Sequence, residues 1–159
     1  MQIQSTQEAL YIACEMERGA VQLYERAIRM MEELGRSTES LCVILRAMLA
    51  DERRHLREFQ VMYTGLDMEV EQRLMLSAIA HGVLFEGGLM GAVRSGMLSS
   101  IRDMLRYAEN AEVEAVKTYR LFASQAEDME TRKMLLSIAD EESTHIDDIQ
   151  KLWNEATGY

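Results

Sequence analysis

Apolar residues recur at three- and four-residue intervals along most of this chain, with charged residues between them, and that spacing predicts amphipathic helices rather than strands. Ser5-Thr6-Gln7-Glu8 has the form of a capping box, with Ser5 capping and Glu8 reaching back, and the apolar stripe after it predicts a first helix over about 6–34. Gly35 is a stop signal, and Ser37 or Thr38 is placed to cap a second helix over about 38–63. Two more long helices are expected, over about 99–126 behind Ser99 or Ser100, and over about 129–155 behind Asp128. Between the two pairs the pattern breaks. Six of the nine glycines fall between Gly65 and Gly96, so the stretch of about 64–98 is expected to hold one shorter helix, about 68–85, and then a looser, methionine-containing segment.

These lengths set a topology. Helices joined by a short loop must run antiparallel, so the first pairs with the second and the third with the fourth. The long crossover returns the chain along the bundle, a distance of roughly 39 Å for a helix of about 26 residues. The expectation is an all-α, ferritin-like four-helix bundle of two helical hairpins related by a pseudo-twofold axis, occupying 1–159 as a single domain.

Composition sharpens this picture. The chain has no proline, 48% hydrophobic and only 6% aromatic residues, which suits long uninterrupted helices. A formal charge of -10 argues against a nucleic-acid or anionic-membrane partner. No apolar run reaches the roughly 18 residues that would span a bilayer, and Met1-Gln2-Ile3-Gln4-Ser5 lacks the parts of a signal peptide, so the expected location is the cytoplasm. The two cysteines, Cys14 and Cys42, form no Cys-x-x-Cys pair and read as small buried thiols. The thirteen methionines read mostly as core filler.

One pattern within the helices occurs twice. Glu17 is followed seven residues later by Tyr24 and then by Glu52-Arg53-Arg54-His55; Glu112 is followed seven residues later by Tyr119 and then by Glu142-Ser143-Thr144-His145. Residues three, four and seven apart share a helix face. Glu17 therefore lies among Ala13, Cys14, Ala20 and Val21, and Glu52 among Met48, Leu49, Leu56 and Phe59. Glu112 lies among Ala108, Ala115 and Val116, and Glu142 among Ile138, Ala139, Ile146 and Ile149. Each carboxylate sits in an apolar stripe, where an uncompensated charge costs several kcal/mol. Counted from the turns, all four lie at matching heights to within roughly a helical turn. Glu and His at i, i+3 reach one site, and four carboxylates with two imidazoles are what a bundle core needs to hold two metal ions.

Residues around the motif are less determined. Glu109, one turn before Glu112, is a candidate additional ligand. Asp51 and Glu141 have two readings, as acceptors for the ligand histidines across the bundle or as solvent-exposed acids. Tyr24 and Tyr119 either hydrogen-bond the ligand carboxylates or pack. His81 has no repeat partner and reads as a loop or packing residue.

The doubled Glu…Glu-x-x-His frame resembles the rubrerythrin branch of the ferritin-like superfamily over almost the whole chain, and Glu109-Asn110-Ala111-Glu112 resembles the rubrerythrin helix that carries two ligating glutamates. The resemblance implies a non-haem di-iron centre, with manganese or zinc as alternative metals, that reduces peroxide or dioxygen. Carried over residue by residue, the catalytic ligands would be Glu17, Glu52, His55, Glu112, Glu142 and His145, with Glu52 and Glu112 as bridges. Ala20 and Ala115 would leave room for a diatomic oxidant. Two cysteines cannot supply the four of a rubredoxin-like domain, so an external donor such as a rubredoxin-like protein is expected, and the resemblance implies a homodimer. Bacterioferritins share the six-ligand pattern, which makes an iron-oxidising and iron-storing protein the runner-up. Arg53 stands where their haem-ligating methionine would be, and their crossover is shorter than the stretch from His55 to Glu112. A helical module with a structural metal, or none, is the third reading.

Overall fold

The computed structural model describes residues 1–155. Six helices follow one another: α1 (Thr6–Glu33), α2 (Ser40–Met62), α3 (Met68–Ala80), α4 (Gly88–Arg94), α5 (Ile101–Gln125) and α6 (Met129–Glu155). The described residues contain no strand. The closest packing is within the hairpins α1–α2 and α5–α6; α1 also packs on α5 and α2 on α6, while α3 and α4 lie against α1. The fold is all-α, a ferritin-like bundle of two hairpins with a partly helical crossover.

Local chemistry places the ends. Ser5 Oγ accepts from Glu8 N (3.2 Å), Ser100 Oγ from Asp103 N (3.1 Å) and Asp128 Oδ1 from Thr131 N (2.7 Å), each satisfying a free N–H of a first turn. Glu8 does not complete the expected box: its Oε2 accepts from Gln4 N (2.7 Å), one residue too early, and its Oε1 takes Arg73 of α3 (2.8 Å). The buried carboxylate thereby ties the crossover to the start of α1. Neither Ser37 nor Thr38 caps α2. The chain makes a turn there, Glu39 takes the N-cap position, and its carboxylate accepts from Arg36 Nε (2.6 Å).

The crossover departs further from expectation. The helix expected to reach about residue 85 stops at Ala80, and the segment expected to be loose contains α4. The stop is Gly82, whose φ of +73° is the left-handed conformation that follows many helix ends. Gly82 N donates to Ile79 O (3.0 Å) and Val83 N to Ala78 O (2.9 Å), closing the last carbonyls of α3.

Two apolar clusters fill the bundle. One gathers Leu23, Met31, Leu45, Met48, Met104 and Leu105; the other gathers Leu10, Ala13, Phe59, Phe122, Leu135 and Ile138. The repeated acids and histidines form a polar belt between them.

Candidate metal centre

The belt is built by one residue pair from each hairpin's second helix and one acid from each first helix. Glu17 and Glu112 come from α1 and α5, Glu52/His55 from α2, and Glu142/His145 from α6. None is more than 4% exposed. Their ligand atoms fall into two groups, each within 4.8 Å: Glu17, Glu52, His55 and Glu142, and then Glu52, Glu112, Glu142 and His145.

The carboxylates common to both groups are Glu52 and Glu142, not Glu52 and Glu112. The twofold relation explains this. The two Glu-x-x-His helices are equivalent, so both of their glutamates lie between the two positions, and Glu17 and Glu112 are left one to each side.

His55 Nδ1 lies 3.0 Å from Glu142 Oε1, 3.7 Å from Glu17 Oε2 and 3.9 Å from Glu52 Oε2. His145 Nδ1 lies 2.8 Å from Glu52 Oε1, 3.1 Å from Glu142 Oε2 and 3.4 Å from Glu112 Oε1. Closeness is not pairing, however. Glu17 Oε2, Glu52 Oε1, Glu142 Oε1 and His55 Nδ1 are buried without a hydrogen-bond partner. Buried polar atoms are rarely left so. Four of them converging from four residues fit cations, which need inward lone pairs rather than aligned N–H groups. The donor set, carboxylate oxygen with imidazole nitrogen, suits iron, manganese or zinc.

What lies behind the ligands is equally paired. His55 Nε2 faces Glu141 Oε2 of α6 (3.1 Å), and His145 Nε2 faces Asp51 Oδ2 of α2 (3.0 Å). Each acid therefore holds the histidine of the opposite hairpin and leaves Nδ1 turned inward. Tyr24 donates to Glu112 Oε1 (2.5 Å) and Tyr119 to Glu17 Oε1 (2.6 Å), again across the hairpins. Burial first, then the neighbouring glutamate, pushes both phenols well above their ordinary range, so they stay donors. Arg54 was not singled out from the sequence. Its Nη2 donates to Glu141 and lies 3.6 Å from Asp51 Oδ1, touching both supporting acids at once. Only its i+3 spacing from Asp51 hinted at this.

The cluster's electrostatics oppose a bare tetra-anion. Burial, then the Glu52 carboxylate, pushes Glu17 up to about 8. Burial, then Glu112, pushes Glu142 well above the carboxylate range. Burial and Glu112 push Glu52 the same way, but contacts with Glu17, His145 and His55 outweigh them and hold it below its ordinary value. Burial disfavours charged imidazole, yet both rings are held far above their usual value, His55 by Glu142 and then Glu17, His145 by Glu112 and then Glu142. Protons thus occupy the cluster wherever cations do not.

Glu109 is not brought to the cluster. It is rotated to the surface of α5, where it accepts from Gln150 Nε2 of α6 (3.1 Å). His81 caps the end of α3, is exposed, and bonds Ser77 O through Nδ1 (2.8 Å). Cys14 and Cys42 are buried free thiols, and burial pushes Cys14 up to about 11, which leaves it unreactive. No helix of the described residues is long and apolar enough to cross a membrane.

The family model for rubrerythrin matches residues 103–158, which take in nearly all of α5 and α6 with Glu112, Glu142 and His145. No curated protein and no solved structure matches the chain. The matched hairpin and the buried carboxylate-histidine cluster are compatible with a di-iron site. The chain is rubrerythrin-like over its second hairpin, which carries the sequence pattern of that family on an all-α bundle.

Proposed function

We propose that this protein is a non-haem di-iron oxidoreductase that reduces peroxide or dioxygen, drawing electrons from an external donor such as a rubredoxin-like protein, and that it works as a cytoplasmic homodimer. The observation that carries the reading is the set of unpartnered, inward-facing atoms on Glu17, Glu52, His55 and Glu142 within one buried belt.

Two iron ions held there would supply the two electrons that reduction of peroxide to water consumes. The chain's own residues set the terms. Glu17 and His55 would serve one position, Glu112 and His145 the other, and Glu52 and Glu142 both. Tyr119 holds Glu17 Oε1 and leaves Oε2 free to turn inward, while Tyr24 holds Glu112 Oε1, the oxygen that also faces His145 Nδ1. Glu141 and Asp51 keep both imidazoles in the tautomer that presents Nδ1. The apolar clusters above and below cover the belt on two sides, which strengthens the charge interactions within it.

The test is iron content after reconstitution, followed by absorption spectra through anaerobic reduction and peroxide addition. About two irons per chain, with a near-ultraviolet band lost on reduction and regained with peroxide, is the expected result. Unchanged iron binding in Glu52→Ala and His145→Ala would sink the reading.

A further inference from the structure

The carboxylate belt opens onto a cavity of about 430 Å³ between α1, α5 and the crossover. Hydrogen peroxide needs roughly the space of two waters, about 60 Å³. The cavity is therefore several times too large for the oxidant and lies within the range typical of small-molecule sites, about 300–1,000 Å³. Its far wall is the crossover, which contributes Met75, Ile79, Val83, Leu84, Phe85 and Leu89. The near walls are kept open by small residues, Gly19 and Ala20 on α1 and Ala111 and Ala115 on α5. A Cβ at Gly19 would meet nothing within 4 Å.

The polar side chains all come from the bundle helices, Gln22 and Tyr107 among them, and the charged ones fall in two places. At one end lie Glu17, Glu52, Glu112 and Glu142, with Tyr24 and Tyr119 already committed to carboxylates. Elsewhere Glu15 and Arg18 line the space and pair with each other, so neither offers an unmatched charge to a ligand. Phe85 meets the edge of Tyr107 with centroids 6.1 Å apart, joining the crossover to α5 at the cavity wall. The crossover wall is apolar throughout, so an aliphatic chain laid against it removes apolar surface from water.

We propose that this cavity is a binding site for an uncharged, aliphatic organic molecule of on the order of ten to fifteen non-hydrogen atoms, held with one end against the carboxylate belt. The site needs no metal, because its walls come from α1, α5 and the crossover. It makes the crossover a wall of a ligand site as well as a connection between hairpins.

Titration with 1-octanol, followed by methyl NMR of Met75 and Ile79 in metal-free and zinc-loaded protein, tests this. Saturable one-to-one shifts confined to cavity methyls are expected in both forms. Ala20→Phe and Ile79→Phe, which fill the space from opposite walls, should each bind octanol about ten-fold more weakly or worse. Leu136→Ser, on the exposed face of α6, should bind it as the parent does. Because the two filling variants alter different elements, a folded one remains if the other fails. Shifts that never saturate, that spread to exposed Leu76 and Leu121, or that persist unweakened in a folded filling variant would overturn the proposal. Loss of zinc uptake with octanol binding intact would count against the di-metal reading alone; zinc uptake without octanol binding would count against this one alone.

Discussion

A histidine ring has two nitrogens, and whatever grips the outer one decides how firmly the inner one is aimed. Here the grip comes from across the bundle: Glu141 on His55 and Asp51 on His145, with Arg54 touching both acids. Although partial burial works against ionisation, Arg54 and then His55 hold Glu141 below the usual carboxylate range, so it is ionised and a strong acceptor at neutral pH. Glu141→Gln and Asp51→Asn should therefore each weaken iron binding about 10- to 100-fold, read by competition with a chromophoric chelator. Wild-type affinity in both variants would mean that the rings are aimed by packing alone. Asp51 and Glu141 could be singled out from the sequence because each directly precedes its Glu-x-x-His motif. Arg54 could not, since one of its two acids belongs to α6, and a contact between hairpins leaves no trace in local spacing. The shared pair was hidden for a similar reason. Four glutamates on four helices are alike until the helices are placed, and only the arrangement in space sets Glu142 between the two positions. Glu109 shows the converse: a spacing of three from Glu112 shares its face loosely, and the small rotation between them carries it out to Gln150.

Among the elements, α1, α2, α5 and α6 were readable because their apolar stripes run for many turns and three of their starts carry a capping oxygen, on Ser5, Ser100 and Asp128. The start of α2 misled, since Ser37 and Thr38 are good caps in isolation but fall in the turn that follows Gly35. The crossover was the least legible part. A seven-residue helix such as α4 is too short for a periodic signal, and its glycines argue against a helix until its packing is known. Gly91 gives that packing. A Cβ there would sit 2.1 Å from Glu86 O, a backbone atom that cannot swing aside. Gly91→Ala should therefore displace the loop before α4 without touching the bundle. Amide exchange across 82–96 is expected to quicken about ten-fold or more, while exchange in α5 and α6 stays near its original rate. Uniform acceleration across all helices would instead make the crossover part of one cooperative unit with the bundle.

At the scale of the whole molecule, a polar belt between two apolar clusters has opposite consequences with and without cations. Without them, carboxylates and imidazoles must share protons in a largely buried place. Glu17 shows the sign. Its folded value of about 8 lies above its ordinary 4.5, so the folded chain holds a proton there that the unfolded chain releases. The stability this lends is fully present below about pH 4.5, declines as the unfolded form ionises, and is gone above about pH 8. The two imidazoles, also raised, push in the same direction above their ordinary 6.5. Metal-free protein should thus lose thermal stability as pH rises from 5 to 9, while the increment on adding iron(II) or zinc should grow over that interval, because each cation displaces protons that are ever more weakly held. Glu17→Gln separates the two effects. An amide keeps an oxygen for Tyr119 but cannot ionise, so the variant should be more stable than the parent without metal at pH 9, about equal at pH 5, and less stabilised by metal at both. Melting temperatures at the two pH values, with and without zinc, give all the terms. A metal-free variant less stable than the parent at pH 9 would show that the carboxylate at Glu17 supports the fold itself, and the view of the belt as a site kept at the expense of stability would have to be abandoned.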